Sequence, residues 1–568
     1  MNKSKTPLAI AIIGAVITMI MIIVVINKSS SNKENTPLPS TNNKITIDNP
    51  EEKLQKALKN VTILNAEKIK GTVDYSDKGS ANLPNIETKY PLTVVGDGDV
   101  DIEIFSTSEK AGKNNNGWLN ETAEQFNSQN NRLSNGKTIS VSIRSIPSGA
   151  SADYISNNVH IPQAYTPSNE LFGKLAAEQG AKLSLEAESL VSNTAGIAIS
   201  RTAASSISSK YGSVSFENIV DAVVAGDLQM GYTYPYTSAT GLNFLVNALQ
   251  HFDASNILSD SAVSKFQQLQ KGIPFVCYTT DQMVNAMQSG TLQAGVVEFQ
   301  AYTNSPVLKG GYDFIPFGYR HSNPLYSVGD LSADQKEALS AFLSYALSSG
   351  PQAHAKEYGF DPDSFSYNTK DISGSDITSA QRLWKEEKDS GAPTIALFIA
   401  DVSGSMTGDP LRRLKDSLLE ASKNIRSDNY VGLITYNDDV TLNLPIAQFD
   451  LEQRSYFAGA VEKMKAGGNT ATYDALLVGI NMINEYKESI PGAKTMIFVL
   501  SDGRCNRGAE YNTSAGIVSH YGIPIYTIGY NEEIDSLKDL SSINEAVYID
   551  ADSDDVVYEL SALFNAQM

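Results

Sequence analysis

The sequence predicts an α/β protein in which strands alternate with helices along the chain. One N-terminal transmembrane helix is expected to precede this part. Three observations predict this class. Short apolar runs such as residues 394–400 and 495–500 alternate with stretches of helical period. Loops rich in Ser, Thr and Asp directly follow several of these runs. A further run, residues 7–26, is apolar and carries no charge.

The length of 568 residues requires several domains, because single hydrophobic cores stop growing well below that size. We expect the following order along the chain: a cytoplasmic N-terminus (1–6), a transmembrane anchor (7–26), a flexible stalk (27–48), a small spacer of unassigned fold (49–93), a long α/β region (94–365), a linker (366–392) and a C-terminal doubly wound domain (393–568).

The apolar run at residues 7–26 is long enough to cross a bilayer, since about 20 helical residues span roughly 30 Å. Lys3 and Lys5 precede it and Lys28 follows, a weak bias towards a cytoplasmic N-terminus. A cleaved signal peptide is the alternative, but no small-x-small site ends the run, and no nearby cysteine could accept a lipid. We therefore expect an uncleaved plasma-membrane anchor with the bulk of the chain extracellular. The Ser-, Asn-, Lys- and Pro-rich residues that follow are typical of a flexible stalk.

The net charge argues against one class of partner, and the cysteine content argues against disulfide cross-links. The net charge of −20 argues against a nucleic-acid partner, because such proteins need basic patches. The two cysteines, Cys277 and Cys505, predict no disulfide framework, and each is expected to be a small buried apolar residue.

Hydroxyl-rich loops follow the strands predicted in the long α/β region, at residues 100–105 and 139–143 for example. Helix N-termini after such loops present unpaired N–H groups and a positive dipole end to a ligand. The candidate ligand-binding residues at these positions are Ser106, Ser108, Ser148, Ser168, Asn169, Ser238 and Thr240. Each of them is equally well explained as an N-cap or turn residue.

This order of loops and helices resembles a type 2 periplasmic (extracellular solute-binding) protein, which has two α/β lobes around a cleft. Residues 193–199 are then expected to cross into the second lobe, and residues 276–278 and 294–298 to return the chain to the first. The tyrosines at 232, 234 and 236 recur with strand period, which favours packing on one sheet face over a stacking platform, although a place in the cleft stays open. Residues 380–389 are predicted to form a short charged helix in the linker.

The C-terminal domain opens on an oxygen-rich motif. Asp401, Ser403 and Ser405 follow the buried strand 394–400, and a helical pattern of leucines comes next. A carboxylate and two hydroxyls thus lie at the carboxyl end of a strand, where open α/β sheets place their ligands. Three hard oxygens suit Mg²⁺, Mn²⁺ or Ca²⁺. Ser, Thr and Asp at such junctions also serve as plain N-caps.

Two further segments extend the motif. The run Gly467-Gly468-Asn469-Thr470 precedes a helical stretch, and the strand at residues 495–500 ends in Ser501 and Asp502. With these segments the region resembles a von Willebrand factor type A domain with its metal-ion-dependent adhesion site. The resemblance implies the ligand set Asp401, Ser403, Ser405, Thr470 and Asp502. Asn469 departs from the family pattern, in which the threonine more often follows the glycines directly, and the spacing still favours Thr470 over Thr472.

No catalytic motif accompanies these features. The five histidines form no HExxH pattern, no Walker A loop is present, and acidic runs such as Asp438-Asp439 are typical of solvated loops. We therefore do not expect an enzyme.

A chain that combines a solute-binding-like region with a von Willebrand A-like domain resembles, in architecture, a group of bacterial membrane-anchored surface proteins. The leading hypothesis is a cell-surface binding protein that holds one divalent cation, with Mg²⁺ as the first expectation and Mn²⁺ or Ca²⁺ as alternatives. An acidic side chain of a protein partner would complete the coordination shell. The second hypothesis is a receptor that captures a small solute, with anions among the candidates, for a transporter or sensory system. A third, an enzyme subunit resembling metal chelatases, does not fit an extracellular anchor.

Overall fold

The computed structural model describes residues 47–73, 83–113, 116–273, 276–277, 280–288, 292–360, 369–389, 392–502, 505–530 and 548–551, together with residues 541, 560, 563 and 564. The predicted N-terminus, the anchor at 7–26 and nearly all of the stalk lie outside these residues. Within the described ranges, no helix is both long and apolar enough to cross a membrane.

Strands and helices alternate along most of the described chain. The strands are β1 Ile63–Asn65, β2 Leu92–Val94, β3 Val100–Ser106, β4 Ile139–Ser145, β5 Ala164–Thr166, β6 Leu183–Ala187, β7 Ala195–Ser200, β8 Met230–Gly231, β9 Ala294–Glu298, β10 Tyr312–Pro316, β11 Leu325–Val328, β12 Thr394–Asp401, β13 Tyr430–Tyr436, β14 Val440–Gln448, β15 Lys494–Ser501, β16 Ile525–Tyr530 and β17 Tyr548–Ala551. The helices are α1 Pro50–Leu58, α2 Ile86–Lys89, α3 Ser108–Ala111, α4 Trp118–Ser128, α5 Ser148–Ser156, α6 Glu170–Glu178, α7 Arg201–Tyr211, α8 Phe216–Val224, α9 Ala239–Phe252, α10 Asp260–Lys271, α11 Thr280–Gln288, α12 Phe299–Asn304, α13 Pro306–Gly311, α14 Ala333–Ala346, α15 Ser349–Glu357, α16 Gly374–Glu387, α17 Asp409–Ala421, α18 Leu451–Lys463, α19 Thr472–Lys487 and α20 Tyr511–Tyr521.

The first lobe of the long α/β region is built on a six-stranded sheet of order β2-β4-β3-β5-β11-β6. Its centre, β4-β3-β5, is parallel, so the carboxyl ends of these strands meet at one edge. Apolar residues of α4 and α14 pack against one face of the sheet, and residues of α5 pack against the other. The strands predicted at 100–105 and 139–143 are therefore confirmed as β3 and β4.

The second lobe has a four-stranded sheet of order β10-β7-β9-β8. The chain enters it at β7, as predicted. The predicted return at residues 294–298 is wrong, because β9 pairs with β7 in the second lobe, with Ala195 opposite Glu298. The return comes instead between β10 and β11. An apolar run such as 294–298 is typical of a central strand in either lobe, so only the pairing decides where it lies.

The C-terminal domain is a seven-stranded sheet of order β1-β14-β13-β12-β15-β16-β17. All neighbours are parallel except β13 and β14, which form an antiparallel pair. Helices α17 and α18 cover one face, and α19 and α20 cover the other. The predicted α/β layering is thus present, with the antiparallel strand β14 as an addition.

The segment 47–73, which we call the strap, belongs to this C-terminal sheet. Strand β1 pairs with β14, Ile63 opposite Val440, and Leu54 of α1 is buried against the α19 face. The strap then crosses α18 on the other face, where the Gly71 N–H donates to the Ser455 carbonyl at 2.8 Å. The strap is therefore part of the C-terminal domain, whereas the sequence predicts a separate spacer at residues 49–93. A three-residue strand whose side chains are all exposed leaves no periodic signal in the sequence.

Helix α16 bridges the two lobes before the chain enters β12. It packs against α6 of the first lobe and against α9 and α10 of the second. The Trp384 indole N–H donates to Tyr232 Oη at 2.7 Å, and Tyr234 lies against the same indole. Tyr232 and Tyr234 are both buried there, so they pack against a helix of the chain itself.

The linker expected at 366–392 therefore contains a helix that is longer than the one predicted. Both cysteines are free thiols: Cys277 is buried and Cys505 is partly exposed.

Candidate functional site

Three strand ends meet at one edge of the C-terminal sheet. Asp401 is the last residue of β12 and lies beside Tyr436, the last residue of β13. On the other side, β15 runs parallel to β12 and ends at Ser501, directly before Asp502. The two predicted carboxylates are thus brought to neighbouring strand ends, as the loop positions in the sequence indicated.

Asp401 is fully buried and held in one orientation. Its Oδ1 accepts the Ser403 backbone N–H at 2.7 Å. Its Oδ2 accepts the hydroxyls of Ser501 and, at 3.4 Å, of Tyr436. Burial raises the pKa of Asp401, and these hydrogen bonds oppose the rise. Neither Ser501 nor Tyr436 was among the predicted site residues.

A chain of hydroxyls joins the first motif to the second carboxylate. Ser403 Oγ lies 3.1 Å from Ser405 Oγ, and Ser405 Oγ donates to Asp502 Oδ1 at 2.8 Å. Burial is the main cause that raises the pKa of Asp502, and the charge of Asp401 adds to it. Ser403 is buried whereas Ser405 is exposed, so the group has one side open to solvent.

The loop that carries Thr470 lies against the first motif. The Gly404 N–H donates to the Gly468 carbonyl at 2.9 Å, and the Gly467 N–H donates to the Val402 carbonyl at 2.8 Å. Thr470 is buried in this loop, and its backbone N–H donates to Asn506 Oδ1 at 2.9 Å.

Thr472, the less favoured candidate, begins α19 and donates to Tyr436 Oη at 3.3 Å. It is therefore linked to Asp401 through the tyrosine.

Asn469, the departure from the family pattern, has a structural role. Its Nδ2 donates to Asp438 Oδ1 at 2.6 Å, and Arg507 pairs with the same oxygen at 3.4 Å. Asp438 thereby ties the Thr470 loop to the loop after β15. Gly468 must be glycine here, since its φ is +86° and a Cβ would lie 2.4 Å from Asp438 Oδ2.

The donor chemistry fits a hard divalent cation. Among the described residues, no positively charged side chain acts on the carboxylate of Asp401 or Asp502. Two buried or half-buried carboxylates without a cation are costly, and carboxylate and hydroxyl oxygens are ligands of Mg²⁺ and Ca²⁺. In the described ranges, this centre included, no three His, Cys, Asp or Glu side chains come together as a metal site. The candidate centre has two carboxylates, and its other oxygens are hydroxyls.

The predicted cleft residues of the two-lobed region lie at strand ends and helix starts, and most are bonded within the chain. Ser168 Oγ donates to Glu109 Oε1 at 2.6 Å, and the Ser168 N–H donates to Ser148 Oγ at 3.3 Å. Asn169 caps α6 through the Leu171 N–H.

The remaining candidates divide between the two lobes. Ser238 caps α9 through the Gly241 N–H and bonds to Thr240 at 2.8 Å. Ser106 is buried, and among the described groups its hydroxyl finds no hydrogen-bond partner. Ser108 is exposed.

The sequence patterns did not indicate a set of buried titratable residues between the lobes. His321 is fully buried, and its Nδ1 lies 2.7 Å from Glu298 Oε1. Asn193 Nδ2 donates to the other oxygen of Glu298 at 2.7 Å. Lys110 is fully buried as well, and burial lowers the pKa of its ammonium while Glu109 opposes the effect. A lone charged residue in a helix carries no local signal that it is buried.

Comparisons with known proteins agree with both halves of this description. A family model for the von Willebrand factor type A domain matches residues 397–563. A model for the bacterial extracellular solute-binding protein matches residues 111–361. Together with the two folds, these matches confirm a von Willebrand A region and a solute-binding-like region in one chain.

Individual relatives cover only parts of the chain. The inter-alpha-trypsin inhibitor heavy chain H3 of Bos taurus is 30% identical over 155 residues, which are 25% of this chain and 17% of that protein. The chain thus spans about a sixth of that relative's length.

Two solved structures match parts of the chain. A von Willebrand factor type A protein from Catenulispora acidiphila is 17% identical with a TM-score of 0.28, covering 31% of this chain and 42% of that one. A putative extracellular solute-binding protein from Bordetella parapertussis is 16% identical with a TM-score of 0.36, covering 51% of this chain and 99% of that one.

Proposed function

We propose that the C-terminal domain is a metal-dependent docking domain for a protein partner. Asp401, Ser403, Ser405, Thr470 and Asp502 would hold one divalent cation, with Mg²⁺ as the first expectation and Mn²⁺ or Ca²⁺ as alternatives. One observation carries the proposal: the hydroxyls of Ser403 and Ser405 link the edge of β12 to Asp502 after β15, within hydrogen-bond distance at each step.

The open side of the group supports docking. Ser405 is exposed while Asp401 and Ser403 are buried, so the group of oxygens borders solvent at Ser405. Mg²⁺ demands near-octahedral coordination and usually keeps several exchangeable water ligands. A carboxylate from an Asp or Glu of a partner can replace such a water, and the contact then needs both the partner and the metal.

The predicted anchor at residues 7–26 is part of the same proposal. With that anchor in the plasma membrane, the docking domain faces the outside of the cell. Immunolabelling of intact cells, compared with permeabilised ones, tests this placement independently of the metal.

Metal binding is tested first with Mn²⁺ alone, titrated into the full chain and followed by electron paramagnetic resonance. We expect one site in the wild type, competition by Mg²⁺ and loss of the site in Asp401→Ala. Asp416→Ala is the matched control, because Asp416 pairs with Arg412 on the exposed side of α17. An unchanged Mn²⁺ site in Asp401→Ala would contradict the proposal.

Docking is tested with the immobilised full chain and an array of Asp- and Glu-containing peptides. We expect Mg²⁺-dependent capture that Asp401→Ala, EDTA or amidation of the peptide acid each abolishes. Capture that persists in excess EDTA would sink the metal-bridged contact even if Mn²⁺ binds.

A solute receptor is the second candidate function, and the match of residues 111–361 to a solute-binding family favours it. A small molecule that dissociates from the wild-type chain in native mass spectrometry, or a melting shift that a solute causes without metal, would support it.

A further inference from the structure

We infer that the chain's own Lys110 occupies the ligand position of the first lobe, so that the two-lobed domain is a closed scaffold with a tethered ammonium ligand. This inference does not rest on the metal site. It concerns the region for which a solute receptor is the competing candidate.

The ammonium of Lys110 lies in a complete cradle. Its Nζ donates to Thr107 Oγ1 at 2.6 Å, to Asn323 Oδ1 at 2.7 Å and to the Thr166 carbonyl at 3.2 Å. An ammonium has three protons to donate, and these three neutral oxygens are its shortest contacts. The Glu109 carboxylate is a fourth acceptor at 3.4 Å. The side chain is 0% exposed, so bulk solvent does not reach it.

The cradle lies where a ligand of this fold class is expected. Thr107 directly follows β3, and Thr166 is the last residue of β5, which runs parallel to β3. The carboxyl ends of neighbouring parallel strands are the ligand edge of an open α/β sheet. Lys110 reaches this edge from the short helix α3, immediately beyond β3.

Asn323 shows that the cradle is built rather than incidental. It lies on the crossover between the lobes with φ of +50°, a conformation that few residue types other than asparagine and glycine adopt readily. Its amide donates to the carbonyls of Val191 and His321 at 2.8 and 2.9 Å. These two bonds fix the amide with its oxygen turned towards Lys110.

Glu109 supplies the countercharge. Its Oε1 lies 3.4 Å from Lys110 Nζ and also accepts the Ser168 hydroxyl. Ser168, one of the predicted cleft groups, is thereby engaged inside the chain. A cation held by a carboxylate and neutral oxygens is an arrangement that suits a primary ammonium.

The lobes are sealed over this site by direct contacts. The Gly149 N–H donates to the Thr237 carbonyl at 3.2 Å, and Asn169 Nδ2 donates to the Ala239 carbonyl at 3.3 Å. Gln300 Nε2 donates to the Glu109 carbonyl at 2.9 Å. A Cβ on Gly149 would lie 1.9 Å from the Tyr236 carbonyl oxygen, so the lobes meet at backbone distance.

The tethered ligand predicts chemical rescue. Lys110→Ala removes the atoms of n-propylammonium, so n-propylammonium added to the variant full chain should refill the cradle. We expect a lower Tm in Lys110→Ala, a saturable recovery with n-propylammonium and none with n-propanol. The wild type and Lys182→Ala, whose lysine side chain is 64% exposed, should show neither effect.

A folded Lys110→Ala that is not rescued, or is rescued equally by n-propanol, overturns the inference. If Lys110→Ala does not fold, Lys110→Met keeps most of the volume and removes the charge. We then expect a lower Tm and faster amide exchange at Gly149 and Ala239, whereas wild-type values for both would overturn the inference. A small solute that co-purifies with the wild type and is lost from Ser168→Ala would also overturn it.

Discussion

The hydroxyl of Ser501, at the end of β15, donates a hydrogen bond to Oδ2 of Asp401, at the end of the neighbouring strand β12. Ser501 immediately precedes Asp502, the second carboxylate of the candidate metal centre. Two consecutive residues therefore have different tasks: the first orients one carboxylate and the second supplies the other.

Ser501→Ala should weaken metal binding without removing a proposed ligand. Loss of an outer hydrogen bond to a metal ligand typically lowers metal affinity by about 10- to 100-fold. A Mn²⁺ titration of the full chain measures this change. Ser514→Ala is the matched control, since Ser514 is also buried but its hydroxyl has no hydrogen-bond partner among the described groups. Equal affinities in the two variants would contradict the orienting role of Ser501.

Gly459→Ala should loosen the strap. A Cβ at residue 459 would lie 2.0 Å from the Ile69 carbonyl oxygen, which is backbone and cannot simply rotate away. Overpacking of this kind costs about 1–3 kcal/mol, more than the gain of up to ~1 kcal/mol from alanine in a helix. We expect a lower Tm and faster amide exchange in residues 66–73.

Gly350→Ala serves as the control for this experiment, because a Cβ at that helical position meets no atom within 4 Å. It should leave the Tm unchanged or slightly higher. Unchanged exchange at residues 66–73 in Gly459→Ala would show that the strap does not depend on this close crossing.

Trp384→Ala should separate α16 from the two lobes. The indole is fully buried and bonds to Tyr232, and truncating a buried tryptophan typically costs about 3–5 kcal/mol. We expect increased protease sensitivity within 374–387 and a lower Tm for the two-lobed region, with an unchanged Mn²⁺ site. Arg382→Ala, an exposed position on the same helix, is the control. Loss of the Mn²⁺ site in Trp384→Ala would show that the lobes and the metal centre are coupled.

Asp153 should make the stability of the first lobe depend on pH. Burial raises the pKa of this aspartate from 3.8 to about 7, and its place in the last turn of α5 opposes a negative charge further. Between those two values the folded state binds more protons than the unfolded state. The contribution of Asp153 to the stability of the fold is therefore greatest at low pH. It is lost as the pH rises from about 4 through about 7.

Asp153→Asn should remove that dependence. We expect its Tm, relative to the wild type, to rise between pH 4 and pH 7 and then to level off. Asp97→Asn is the control, since Asp97 is exposed in the same lobe. A difference from the wild type that does not vary with pH would exclude the titration of Asp153.

The sequence indicates those parts of the structure that are local. Asp401 and Asp502 follow strongly apolar runs, so their place at strand ends could be predicted from their immediate neighbours. The partnership of Ser501 with Asp401 depends on which strands are adjacent, and the pairing of β1 with β14 depends on a contact distant along the chain. Lys110 is the extreme case, because the three acceptors around its ammonium come from three separate segments.

The strap also sets an order of assembly during synthesis. The Gly71 carbonyl accepts a hydrogen bond from the Ser455 hydroxyl, which lies 384 residues later in the chain. At ~5–20 residues per second, the ribosome needs roughly 20–80 s to supply that partner. The two lobes emerge in full during this interval and have time to fold, whereas β1, the first of the described strands to be made, waits for β14 and the helix after it. The strap is thus among the last of the described segments to find its place, and a nascent chain halted within the lobes displays an unpaired β1.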